Sequence, residues 1–139
     1  MPVTHFCVLP EPSRPLLSKF YREHKSPMRP TSDAQLWVAK QSEIVGALCL
    51  TAVANGHLLT GLFVAPLLRG QNIASDLIQE AVAQAVGPVW LFCHPDLLSF
   101  YQRGGFHVVS TLPEALADRF QRYSRTKSLI AMSKPSGPL

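Results

Sequence analysis

From Val3 to Leu9 apolar and polar residues alternate, which predicts a first strand. Pro10, Pro12 and Pro15 then mark the entry to a helix with Leu16, Leu17, Phe20 and Tyr21 on one side, and Pro27 and Pro30 stop it. Gln35 to Lys40 and Ile44 to Ala54 read as two strands around the polar turn Gln41-Ser42-Glu43. Asn55-Gly56 is a hairpin signal that leads into a strand from His57 to Val64. An antiparallel meander is therefore expected in the middle of the chain.

After Val64 the period changes from two to 3.6. Ile73, Leu77, Ile78, Ala81, Val82 and Ala85 form one helical stripe, Ser75, Asp76, Gln79, Glu80 and Gln84 take the other face, and Gly87-Pro88 ends the helix. Val89 to Cys93 is apolar at every position, as in a strand buried on both faces, and the intervening helix makes a parallel crossover from the preceding strand. His94-Pro95-Asp96 opens a short helix through Gln102, closed by Gly104-Gly105. Strand resumes from Phe106 to Ser110, a helix with Leu116, Phe120 and Tyr123 on one face follows Pro113, and Ser128 to Met132 is the last strand. Antiparallel strands followed by a βαβ unit predict a mixed α/β sheet with helices on both faces. One domain over residues 1–134 and a flexible tail over 135–139 are expected.

Composition narrows the class. A chain of 139 residues, 47% hydrophobic and 16% charged, can bury a core without a disulfide or structural metal, and its apolar runs are too short to span a bilayer. Met1-Pro2-Val3-Thr4-His5 lacks the basic and apolar regions of a signal peptide, which predicts a cytoplasmic protein. Cys7, Cys49 and Cys93 are an odd count without metal-type spacing, each in a strand-like run, and read as reduced core thiols. The net charge of +4 suits nucleic acid, a polyphosphate cofactor or solubility alone. Its arginines are scattered, densest at Arg119, Arg122, Arg125 and Lys127, with no long basic run interleaved with aromatics, which argues against nucleic acid.

The candidate chemistry lies between Leu62 and Ser75, where the apolar strand Leu62-Phe63-Val64 runs through Arg69-Gly70-Gln71-Asn72 into the helix beginning Ile73-Ala74-Ser75. Backbone N–H groups in such a turn and at the first helical positions lack intrahelical partners, so the segment suits an anion. A second feature, Phe100-Tyr101-Gln102-Arg103-Gly104-Gly105-Phe106, follows the next strand. Together they resemble the GCN5-related N-acetyltransferase (GNAT) superfamily, in which Gln/Arg-x-x-Gly-x-Gly/Ala after the fourth strand binds the acetyl-CoA pyrophosphate. In that superfamily a Tyr before a Gly-Phe step often protonates the departing thiolate.

The resemblance is sharpest from about Leu58 to Val108. It implies a GNAT-type, mostly antiparallel sheet with the parallel βαβ unit at the cofactor site, and acetyl transfer from acetyl-CoA to an amine by direct attack in a ternary complex. Arg69 begins the motif, Gly70 and Gln71 fill its variable places, Asn72 replaces a usual Gly, and Ile73, Ala74 and Ser75 complete it. Asn is the non-Gly residue most at ease with positive φ, so the turn can still form. The main chain of Leu62, Phe63 and Val64 matches the segment that pairs with the pantetheine arm. Tyr101 is the implied general acid, and its plain reading is a ring packed beside Phe100. His94 stands where relatives carry a cofactor-touching Asn, and can serve as contact, base or helix cap.

The strands on either side of the crossover carry no carboxylate to act as base, leaving His57, His94, Glu114 or a water relay. The acceptor is an amine on a small molecule or a protein, and a homodimer is an open assembly. The competing reading is a non-catalytic acetyl-CoA-binding regulator of a partner protein, to which Asn72 and the missing carboxylate lend weight.

Overall fold

The computed structural model describes residues 3–135, so all but Pro135 of the expected tail lies outside it. The chain divides into two compact units, Met1–Thr51 with Leu59–Gln84, and Ala52–Leu58 with Ala85–Leu139. Strands β1 (His5–Val8), β2 (Gln35–Lys40), β3 (Ile44–Val53), β4 (Gly56–Val64), β5 (Val89–Cys93), β6 (His107–Val108) and β7 (Ile130–Lys134) follow the order β1-β2-β3-β4-β5-β7-β6, mostly antiparallel, in a mixed α/β fold.

In the first unit, β1 (His5–Val8) pairs antiparallel with β2 (Gln35–Lys40), and β2 with β3 (Ile44–Val53). Between β1 and β2 lies α1 (Arg14–Glu23). It ends where Lys25 takes φ 55° and the Ser26 N–H bonds to the Tyr21 carbonyl at 2.9 Å, a left-handed closure that satisfies a terminal carbonyl. Leu17, Phe20 and Tyr21 of α1 bury themselves against Leu36, Val38, Ala47 and Cys49. The pleat turns Ala39 to the other face, where it meets Val64 at the end of β4 (Gly56–Val64) and Ile73 at the start of α2 (Ile73–Gln84). Ile73, Leu77, Ile78 and Ala81 of the expected stripe are buried. On α1, Leu16 is exposed and drops out of the expected face, because the buried stripe is narrower than the run of apolar residues.

In the second unit, β5 (Val89–Cys93) runs parallel to β4 through His57↔Val89 and Leu58↔Trp90, and antiparallel to β7 (Ile130–Lys134), which also carries β6 (His107–Val108). The hairpin loop is Ala54-Asn55, one residue earlier than its signal, with the positive φ (51°) on Ala54. Gly56 instead begins β4, and its need is proximity: a Cβ there would stand 2.0 Å from the Pro88 carbonyl oxygen, which accepts the His57 N–H at 2.9 Å. Short α3 (Leu98–Arg103) follows β5, and α4 (Glu114–Ser124) joins β6 to β7. Leu116 of α4 closes over Leu58 and Trp90. Phe120 and Tyr123 meet Phe92 at 5.0 and 6.4 Å between ring centroids, and Tyr123 stays exposed.

Two expectations are corrected. Cys7 is exposed, not a core thiol, because β1 is an edge strand with only its Phe6 half-buried, whereas Cys49 and Cys93 are buried as expected. The strand expected from Phe106 to Ser110 shrinks to two residues, since Phe106 turns inward to full burial and closes α3. Among the described residues no helix is long and apolar enough to cross a membrane.

Candidate functional site

Residues Leu62 to Val64 and Arg69 to Ser75 come together in the first unit. After β4 the chain makes a short 3-10 turn over Pro66–Leu68 and swings through Arg69-Gly70-Gln71-Asn72 into α2. Gly70 has φ 85° and Asn72 φ 64°, so the position where a Gly was expected does take the left-handed backbone that Asn tolerates. The Asp76 N–H bonds to the Asn72 carbonyl at 3.0 Å, which makes Asn72 the residue at which helical bonding starts. Among the described residues, the amides of Gly70, Gln71, Asn72, Ile73, Ala74 and Ser75 have no hydrogen-bond acceptor. Six consecutive free donors, two of them on left-handed residues and three at the positive end of a helix, are chemically suited to an anion. A Cβ on Gly70 would meet no atom within 4 Å, so the turn is open on that side. Asn72→Ala is expected to cost about 1 kcal/mol by urea denaturation and Asn72→Gly close to nothing, since only the Cβ is strained at positive φ.

The Arg69 side chain folds back onto β4. Its Nε donates to the Val64 carbonyl at 3.0 Å and its guanidinium lies 5.0 Å above the Phe63 ring, which itself packs edge-on against Phe20. Arg69 thus ties the turn to the strand with its side chain, while the main chain after it stays free.

One feature of β4 has no counterpart among the expected site residues. Gly61 takes φ 67° inside the strand, and its carbonyl accepts the Tyr21 hydroxyl at 2.6 Å, with Cys49 beside it. Burial pushes the Tyr21 phenol well above the ordinary tyrosine value, with Cys49 adding to the shift. The signal for this position was a lone glycine in a strand pattern, which marks a break in the pleat or a close approach.

Tyr101 and His94 belong to the second unit. Tyr101 is 7% exposed, with Phe100 and Phe106 at 5.0 and 5.9 Å between centroids. Desolvation raises its pKa well above the ordinary value, and the nearby Cys93 raises it further, so the phenol keeps its proton. Its carbonyl accepts from the N–H groups of Gly104 and Phe106 at 3.0 and 3.1 Å, and Gly105 closes α3 at φ 93°. Lys134 on β7 reaches across to donate to the Gly104 carbonyl at 2.9 Å, placing a cation at the helix C-terminus.

His94 is exposed, and its Nδ1 accepts the Asp96 N–H at 3.1 Å as the cap of the short turn Pro95–Leu97. The Asp96 carboxylate lies 3.4 Å from the same nitrogen. Of the other proposed bases, His57 lies near the start of β4, with a buried and unpartnered Nδ1. Glu114 is exposed in the first turn of α4, where the helix dipole explains it.

A family model described as an acetyltransferase (GNAT) domain matches residues 32–108. No curated protein matches the sequence. Among solved structures, the ribosomal-protein-S18-alanine N-acetyltransferase from Escherichia coli aligns with TM-score 0.73 at 13% identity, over 99% of this chain and 96% of that one. An acetyltransferase of the GNAT family from Staphylococcus aureus aligns with TM-score 0.65 at 17% identity, over 97% and 100%. N-acetylglutamate synthase from Neisseria gonorrhoeae, in complex with coenzyme A and N-acetyl-glutamate, aligns with TM-score 0.76 at 13% identity, over 99% of this chain and 36% of that one. At such identities the likeness is one of fold.

Proposed function

The chain belongs to the GNAT acetyltransferase family, and from that membership we propose that it transfers an acetyl group from acetyl-CoA to a primary amine. The observation that carries this reading is the row of six unpartnered amides from Gly70 to Ser75. As positively polarised donors they suit a pyrophosphate, and successive amides around left-handed residues such as Gly70 and Asn72 are of the kind that bind anions. Leu62, Phe63 and Val64 are assigned to the pantetheine arm through their main chain, Arg69 to Ser75 to the pyrophosphate, and His94 to a cofactor contact through the ring nitrogen not engaged in its cap.

Bound acetyl-CoA supplies an activated thioester. The remaining work falls to the protein: Arg69 holds the turn in register with β4, and Tyr101, a phenol that keeps its proton in an apolar setting, is assigned as the general acid. No carboxylate or free imidazole is assigned as base, so the acceptor amine enters neutral or loses its proton to water.

The same turn would serve a protein that binds acetyl-CoA without turnover. Calorimetry with acetyl-CoA, followed by a panel of small amines and peptides assayed for release of free thiol, separates the two. Saturable binding with thiol release dependent on one class of amine is expected. Binding without release from any amine favours the regulator, and absence of binding overturns both.

A further inference from the structure

The tilted peptide at Gly61 has a fixed direction. Its carbonyl is drawn out of the strand toward α1 by the Tyr21 hydroxyl, at 2.6 Å. The described chain contains no cis peptide, and in a planar trans unit the Leu62 N–H points opposite to the Gly61 carbonyl. Tyr21 therefore sets the orientation of the first main-chain donor in the segment Leu62 to Val64. The device is rigid on both sides. Tyr21 is 1% exposed and packs against Phe20, which in turn contacts Phe63. At Gly61 an added Cβ would stand 2.9 Å from the Tyr21 oxygen and 3.5 Å from the Cys49 sulfur, so only glycine allows the hydroxyl this close. A kinked strand beside a candidate site commonly re-aims a group toward it.

We infer that Tyr21 is a positioning residue for cofactor binding: through the Gly61 carbonyl it holds the β4 main chain in the one orientation that presents the Leu62 N–H to the arm of acetyl-CoA. This rests on the functional reading above and adds a residue to it from an element, α1, that carries none of the family motif.

The test compares Tyr21→Phe with Leu17→Ala. Leu17 is fully buried one turn earlier on the same helix and has no polar side-chain atom with which to hold the Gly61 carbonyl. Both variants are expected to melt lower than wild type. Tyr21→Phe is also expected to bind acetyl-CoA about fivefold to tenfold more weakly by calorimetry, well below its melting temperature, the loss of one net hydrogen bond. Leu17→Ala should bind as wild type does. Gly61→Ala should reproduce the loss, and in Tyr21→Phe/Gly61→Ala the two losses should not multiply, because removing the oxygen removes the clash.

Equal binding by wild type and Tyr21→Phe overturns this inference alone, as does equal weakening by Leu17→Ala or full multiplication in the double variant. A wild-type protein that binds no acetyl-CoA overturns the functional reading first.

Discussion

Tyr101→Phe is expected to lower the maximal rate of acetyl transfer by about 10²-fold or more, the usual contribution of a positioned general acid, and to leave acetyl-CoA affinity within about twofold. The substitution deletes one oxygen. Its ring keeps the contacts with Phe100 and Phe106, and the carbonyl bonds that close α3 are main-chain. Burial makes the phenol a weaker acid than in water, which by itself would hinder donation. An apolar setting likewise raises the proton affinity of any thiolate that enters it, as the raised Cys93 thiol illustrates, so a thiolate reaching Tyr101 would shift with its donor. A rate unchanged in single-turnover assays would return Tyr101 to a packing role.

The same shifts fix a pH dependence. Tyr21 and Tyr101 hold their protons when folded to well above the ordinary value of 10.0, to which they return when unfolded. Below that value both states are protonated and their contribution to stability is constant. Above it the unfolded chain releases protons that the folded chain retains, so stability falls as pH rises. Urea midpoints are expected to decline above about pH 10, with a shallower decline in Tyr101→Phe. The wild-type rate should show no loss from phenol ionisation up to that pH.

The elements were legible because most of them satisfy one period. Gln35 to Lys40 and Val89 to Cys93 are strands with the expected bounds, and the stripe from Ile73 carries α2. The turn was legible for a local reason: Gly70 and Asn72 are residue types that accept positive φ, and both have it. Burial of an edge was not, since the alternation around Cys7 is the same whether one or both faces of a strand are covered, and only the pairing of β1 at the rim decides it. The link between Tyr21 and Gly61 joins residues 40 positions apart. In sequence Tyr21 was one more apolar-face residue of α1, and nothing short of the fold shows that its hydroxyl has a partner on β4. His94 read as contact, base or cap, and the Asp96 N–H settles what its Nδ1 does.

Gly70→Val should cost about 100-fold or more in acetyl-CoA affinity while moving the melting temperature by only a few degrees. The site offers room for the side chain, because no atom lies within 4 Å of its Cβ. The penalty is entirely conformational: at φ 85° a β-branched residue is the least tolerated kind, and the backbone relaxes toward negative φ. That rotation reorients the amides flanking residue 70 relative to those of Ile73 to Ser75, and an anion held by the row would lose charge-assisted bonds worth about 1.5–3 kcal/mol each. Stability is spared because Gly70 is exposed and outside the buried clusters. Gly70→Asn supplies the internal comparison. Asn72 already holds φ 64° two residues on, so asparagine at 70 should keep most of the affinity that valine loses. If valine and asparagine weaken binding equally, the amide row is not the receptor, and the anion would instead be held by a side chain such as Arg69, whose Nε is already engaged by the Val64 carbonyl.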